Sequence, residues 1–593
     1  MEKYQSQRRE RRDKMEQLSV FLLLFVCAAA SDEPLLKGGE DFDTILIHIG
    51  MGKWNIMYYF SIGAWKLALP HHALAGAFIS PYVNHTCRLP TDVPSGSGTI
   101  ASQNASTDTV WILPNDECSY LKKDVTTGRL EEVPCTEWDY DNSTFSTTAT
   151  SEYNLVCERQ YLRAAYQSLY MGGFLVGAFF SGQLAYRYGR LTVIAVSSIA
   201  YSVMALASAW IPSLVFLMIF RFLLGTMHPT SLVTGFVFSM EITEIKWRST
   251  VSVVVGMMWG VGTILWGIFA YFERDWRWLQ TFVSLIGPAV LPFLLLLNES
   301  PRWLVVTGQH QKALSVIQKA ARINNKSLPP TDQLLAIMTK VQEQSASEEG
   351  KATHRSPGVI AREVLSQVAI MFSTIKLATI TVVTSIGFFA VAMIFFGLTL
   401  AASSLGISNP FLFMVISGLV ELVCFFAIYF LEKMGRKKFA VFIFGLCAVA
   451  LLLQPLVPAD LQWLSTTLVM IGKMASASAF TLMFLYSSEL YPTEVRTQGM
   501  GIGMMSSRVG AFIAPFIMSA LEVDHPWAIS VVFGLTATVA SLSFLPLWET
   551  SNVCLPDTIA QMEGQKGSAD HAPKGYESVP LQKDGSGETS TAA

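Results

Sequence analysis

Two stretches of the chain, each set among apolar segments, repeat one pattern of charges. Arg187-Tyr188-Gly189-Arg190 is echoed by Lys433-Met434-Gly435-Arg436, and Glu241 to Arg248 (EITEIKWR) is echoed by Glu489 to Arg496 (ELYPTEVR). The offsets are 246 and 248 positions, and in both copies of the second motif the acid precedes the base by seven. Two echoes at nearly the same offset imply a duplicated unit, so the chain is expected to fold as two related halves.

Composition says what kind of unit. Apolar residues make up 51% of the 593 and charged residues only 15%; a soluble chain carries about a quarter charged residues. The apolar runs have spanning length, about 20 residues each. Twelve are expected, near 55–79, 163–185, 191–211, 213–236, 250–272 and 278–297, then 376–399, 409–431, 438–457, 464–486, 498–520 and 526–547. The fold class is therefore an all-α membrane protein with twelve transmembrane helices in two pseudo-symmetric six-helix bundles. The expected divisions are a cytoplasmic or interfacial segment at 1–42, a first bundle at 43–298 and a polar linker at 299–375. A second bundle at 376–547 and a polar tail at 548–593 follow. Net charge is −3 and gives no reason to expect a nucleic-acid partner.

Lys and Arg in short loops mark the cytoplasmic side. Arg187, Arg190, Lys246, Arg248, Arg302, Lys433, Arg436 and Arg496 share one side, which also takes both termini. The long segment 80–162 falls on the opposite side. It holds Cys87, Cys118, Cys135 and Cys157 and the sequons at Asn84, Asn104 and Asn142, the composition of an oxidising, glycosylating compartment. Four cysteines allow three pairings, and the sequence does not choose among them. The sequons at Asn298 and Asn325 fall on the basic side and are expected to stay unused. Five basic residues between Arg8 and Lys14 precede an apolar run, 18–30, which has the look of a signal peptide. Twelve spans with a cytoplasmic N-terminus favour an uncleaved interfacial segment instead.

A charge inside a span costs about 2.5–3.5 kcal/mol on insertion scales, so it faces water or a partner. Lys66, His71, His72, Arg221, Glu421, Lys473 and Arg508 lie away from span ends. Arg508 follows Arg496 by twelve residues, ~18 Å into the eleventh span at 1.5 Å per residue. Its counterpart in the first half is Gly260, so a cation breaks the pseudo-symmetry on one side only. An arginine there suits a carboxylate, whose two oxygens match its planar fork. The alternative is a structural ion pair with Glu421.

The chain resembles the major facilitator superfamily and, within it, solute carrier family 22, the organic cation, organic anion and carnitine transporters. GQLAYRYGR (182–190), RFLLG (221–225), ESPRWL (299–304) and SSELYPTEVR (487–496) carry the resemblance, together with the large cysteine-bearing first loop. The resemblance implies a transporter of small organic ions working by alternating access in the plasma membrane, with no enzymatic step and no cofactor or metal. It implies gating roles for Arg187, Arg190, Glu241, Arg248, Arg436, Glu489 and Arg496, with Arg190 and Arg436 expected to form ion pairs across the two halves in the outward-facing state. One departure is Tyr186, where the family has an Asp; the second copy keeps an acid, Glu432. Ser507-Arg508-Val509-Gly510 matches the organic-anion and carnitine branches, and Phe388, Phe389, Trp259, Phe480 and Phe484 match aromatic cavity positions. His72 and Glu421 complete the candidate substrate contacts.

Organic anions or carboxylate-bearing, carnitine-like zwitterions are the favoured substrates. An organic cation is the alternative, drawn by Glu421 and by aromatic walls. The coupling ion or counter-substrate is open. The chain has neither GxxxxGK[ST] nor HExxH, which argues against a primary pump and a zinc hydrolase. A membrane receptor is the non-transporter alternative, and twelve expected spans, not seven, argue against it.

Overall fold

A computed structural model describes residues 42–88, 112–114, 118–123, 130–349, 368–401, 409–424, 433–492, 494–522, 525–551, 559 and 562. The apolar run 18–30, Asn104, Glu432 and most of the tail lie outside these residues.

A short helix, α1 (Phe42–Ile49), precedes the first half. That half comprises α2 (Lys53–Lys66) with α3 (Leu69–Ala73), α4 (Gln160–Tyr188), α5 (Arg190–Ala209), α6 (Leu214–Glu241), α7 (Arg248–Phe272) and α8 (Trp276–Leu295). Three further helices follow, the short α9 (Pro301–Val306) and the more polar α10 (His310–Asn324) and α11 (Thr331–Glu349). The second half comprises α12 (Ile375–Leu400), α13 (Pro410–Val423), α14 (Arg436–Leu453), α15 (Gln462–Leu490), α16 (Arg496–Leu521) and α17 (Pro526–Ser543).

Among the described residues nine helices are long and apolar enough to cross a membrane: α5 to α8, α12 and α14 to α17. The other three expected spans differ for identifiable reasons. The first is broken at Leu67–Ala68, where Pro70 opens a new helix, because proline fits only the first turn. The second, α4, has the length, but Gln167, Gln183 and its Tyr, Ser and Gly residues lower its hydropathy. The eighth, α13, is described only to Val423.

Two apolar clusters form the core. Trp54, Trp65, Trp266 and Trp276 anchor one, which continues across the contact between the halves to Phe395 and Phe411, and Phe388, Phe444, Phe533 and Phe544 anchor the second core within the second half. Helix contact in the first half depends on missing side chains. A Cβ on Gly173 would lie 2.1 Å from the Phe222 carbonyl oxygen, and one on Gly225 2.1 Å from that of Tyr170. Small residues let α4 and α6 approach this closely without a hydrophobic drive between them.

The large loop holds two small antiparallel sheets. β1 (His85–Cys87) pairs with β5 (Trp138–Tyr140), and β3 (Ser119–Lys123) lies between β2 (Ile112–Pro114) and β4 (Leu130–Pro134). Disulfides join Cys87 to Cys135 and Cys118 to Cys157. The second ties the three-stranded sheet to the start of α4. His85 lies near Cys118 and Cys157, whose sulfurs are bonded to each other and so are not metal ligands.

The halves touch chiefly through α4 with α16 and α7 with α13. Near the large loop, Ser168 Oγ donates to the Phe512 carbonyl at 2.7 Å and Gly172 meets the Phe512 ring. Toward the basic loops the same faces part. Phe179 is 60% and Met505 57% exposed, and neither Gly182 nor Gly501 has a heavy atom near where a Cβ would sit. The space between the halves is thus sealed at the loop end and opens at the basic end.

Candidate functional site

Arg508 sits on α16 in that space, half-buried. Its guanidinium lies 3.7 Å from the centroid of Phe174 on α4, in the opposite half. Phe174 abuts His228 at 4.9 Å, and His228 abuts Trp259 at 6.1 Å between centroids. Tyr170 OH and His228 Nδ1, 2.6 Å apart, fix the imidazole. No carboxylate pairs with Arg508 among the described residues. A guanidinium over an aromatic face gains about 2 kcal/mol when desolvated, less than a carboxylate partner supplies in a dry site. Gly260, the first-half counterpart, makes helix contact instead: a Cβ there would lie 3.0 Å from Leu422 Cδ2 of α13.

Glu421 does not pair with Arg508. Its partner is Lys473 on α15, with Nζ 3.4 Å from Oε1. Thr263 Oγ1, on α7 of the first half, donates to Glu421 Oε2 at 3.2 Å. The structural pair expected as the alternative, Arg508 with Glu421, is therefore absent, and Arg508 has no acid partner among the described residues.

The aromatic candidates divide. Phe480 and Phe484 stack at 5.9 Å between centroids, and Phe484 is 37% exposed. Phe388 is fully buried, edge-on to Phe484 and against Gly503. Phe389 is partly buried in the second core, and its carbonyl would meet a Cβ on Gly510 at 2.3 Å. His72 lies inside the first bundle, 1% exposed, with Nε2 3.2 Å from Ser284 Oγ and its carbonyl accepting from Arg221. It does not face the space between the halves.

At the basic end the ion pairs run within each half. Arg190 bonds Glu241 at 2.9 Å and Arg436 bonds Glu489 at 3.1 Å. The expected pairing across the halves is absent from this conformation because the basic ends stand apart. Arg248 donates to the Thr243 carbonyl and bonds Asp43 of α1 at 2.6 Å; Arg496 donates to the Tyr491 carbonyl. Arg187 is exposed and lies over Tyr188. Trp303 Nε1 donates to the Tyr186 carbonyl at 2.8 Å.

Two acids escaped the sequence reading. Glu299 accepts from the backbone N–H of Arg190 and Leu191, and Glu549 from that of Arg436 and Lys437. Each carboxylate caps a helix N-terminus, where its charge meets the exposed N–H groups and the dipole. Ser300 then donates to Glu241 and Thr550 to Glu489, so the two networks are copies. The available signal was an acid followed by a hydroxyl residue, Glu299-Ser300 and Glu549-Thr550, at a matching offset.

In the large loop Asn84 and Asn142 are exposed. On the basic side, Asn298 accepts from Lys319 through its side chain and Asn325 ends α10 in a left-handed conformation.

Comparison with known proteins assigns the family. The family model described as Sugar (and other) transporter matches residues 136–556. Organic anion transporter 3 of Oryctolagus cuniculus is 30% identical, covering 92% of this chain and 99% of its own length. Solute carrier family 22 member 6 of the same species is 30% identical, covering 76% of this chain and 80% of its own. The chain belongs to solute carrier family 22 of the major facilitator superfamily. The organic cation transporter protein of Drosophila melanogaster is also similar to this family member, at 28% identity over 88% and 94% of the two chains. The inward-open xylose transporter XylE from E. coli shares its fold: TM-score 0.58 at 13% identity, covering 86% of this chain and 98% of that one. This solute carrier family 22 member is thus a multi-pass membrane transporter of the major facilitator fold, and not an enzyme.

Proposed function

We propose that this protein carries organic anions or carboxylate-bearing zwitterions across the plasma membrane by alternating access, with both termini in the cytoplasm. One observation carries the charge preference. Arg508 reaches the space between the halves with an aromatic ring and, among the described residues, no acid beside it, while the intramembrane acid Glu421 is matched by Lys473. A substrate carboxylate supplies what Arg508 lacks, and Trp259, Phe480 and Phe484 offer apolar area to the rest of the molecule. Both anion and cation transporters are among the similar proteins, so the site, not the family, supports this preference.

On this reading the basic-end pairs Arg190–Glu241 and Arg436–Glu489 stiffen each half and its loop ends as the halves rock. Uptake of a labelled aromatic carboxylate, a betaine and a quaternary ammonium ion into cells, with and without a Na⁺ gradient, tests the reading. Carboxylates should enter, and the quaternary ion should not.

A further inference from the structure

Lys473 is fully buried and sits in surroundings that suit an ammonium ion from every side. Its Nζ lies 3.3 Å from the centroid of the Phe395 ring. It donates to the Phe395 carbonyl at 3.1 Å and to the Thr399 hydroxyl, and lies 3.4 Å from Glu421 Oε1. Carbonyl, hydroxyl, carboxylate and ring face are the parts of a recognition site for a primary organic ammonium. Glu421 Oε1 makes no hydrogen bond in this arrangement and keeps capacity for a better-placed donor.

The place is next to the proposed substrate path. Lys473, Phe480 and Phe484 lie on α15 at i, i+7 and i+11, and so share one helix face. Phe395 packs edge-on against Phe480 at 6.1 Å between centroids, and Phe480 stacks on the exposed Phe484. Glu421 is also held from the opposite half by Thr263. An ammonium site therefore stands one aromatic layer behind the space between the halves.

We propose that Lys473 is a tethered occupant of an organic-ammonium site formed by Glu421, Phe395 and Thr399, and that its presence keeps free amines and other cations from that site. The proposal rests on the anion reading above, since it names the residue that closes the protein to cations. Truncating Lys473 to Ala removes three methylenes and an ammonium, a space and a charge that a short n-alkylammonium replaces. Glu421, left without its counter-ion, then draws the amine in.

The test uses the purified full-length protein in detergent, with n-butylammonium as the probe and n-butanol as the uncharged control. Lys473→Ala should melt several degrees below wild type. Millimolar n-butylammonium, and not n-butanol, should restore most of the loss. Wild type and Lys473→Met, whose side chains fill the space, should not respond, and neither should Lys473→Ala combined with Glu421→Gln. If Lys473→Ala is too unstable to purify, growth with n-butylammonium should recover surface expression; no recovery overturns the proposal. So does a folded Lys473→Ala that ignores the amine, or a response that persists with Glu421→Gln. Uptake by wild type separates the two readings. Quaternary ammonium uptake with Lys473 intact defeats the anion reading, while a missing amine response with Arg508-dependent carboxylate uptake defeats only the Lys473 site.

Discussion

Arg163 on α4 and Glu522 at the end of α16 form a buried ion pair that ties one half of the protein to the other at the loop end. Gln160 and Ser519 bond on either side of it, and Arg163 also lies over Tyr82, 5.5 Å from the ring centroid. These contacts exist only while the loop end is closed, so they stabilise that state against the alternative in which the halves part there.

Removing one partner of a buried ion pair costs about 3–5 kcal/mol. Arg163→Ala or Glu522→Ala should therefore shift the population toward opening at the loop end. A cysteine placed at Ser168 should become more reactive to an impermeant thiol reagent from outside the cell. Exchanging the charges, Arg163→Glu with Glu522→Arg, should restore protection. Unchanged labelling in both single variants would remove the pair from the seal.

Gly189 and Gly435 precede α5 and α14 at φ of 95° and 85° with extended ψ, a region essentially reserved for glycine. A Cβ would also meet Glu299 at 2.5 Å and Glu549 at 2.6 Å. Gly189→Ala and Gly435→Ala should each lose about 1–3 kcal/mol of stability from backbone strain and lower the melting temperature and surface expression. Glu299→Gln, which keeps the shape but drops the capping charge, should cost about 0.3–1 kcal/mol. Thermal unfolding of the three purified variants checks the order; an alanine variant as stable as wild type would contradict it.

Changing Asn84, Asn104 and Asn142 together to Gln should abolish the mass shift produced by a glycosidase. A shift that survives would place the sugar elsewhere and undercut the assignment of the 80–162 loop to the outside.

The two-half architecture is legible in the sequence because a duplicated charge pattern survives where the apolar spans themselves diverge. Depth is legible too: Arg496 marks the end of its span, and the fixed rise per residue puts Arg508 well inside. Facing is not legible. Whether Arg508, Lys473 or Arg221 meets Glu421 depends on how each helix is rotated about its axis, and spans that are apolar around most of their surface carry no stripe to set it. Lys473 therefore stands among the candidate charges without its partner, and His72 looks like a pathway residue until Ser284 and Arg221 enclose it. The break at Leu67 is signalled by Pro70, but hydropathy runs across it. The loop-end seal has no sequence signal, since Arg163 and Glu522 belong to helices from different halves.

The most direct measurement is uptake of one labelled aromatic carboxylate by cells expressing equal surface amounts of wild type, Arg508→Ala, Arg508→Lys and Arg508→Asp, with a quaternary ammonium ion run in parallel. A charge-assisted contact of about 1.5–3 kcal/mol corresponds to a loss of roughly tenfold or more in Arg508→Ala, at 1.4 kcal/mol per decade. Arg508→Lys should recover little, because an ammonium lacks the planar fork, and Arg508→Asp should move preference toward the cation. Wild-type uptake of the quaternary ion, undiminished in Arg508→Ala, would contradict the account.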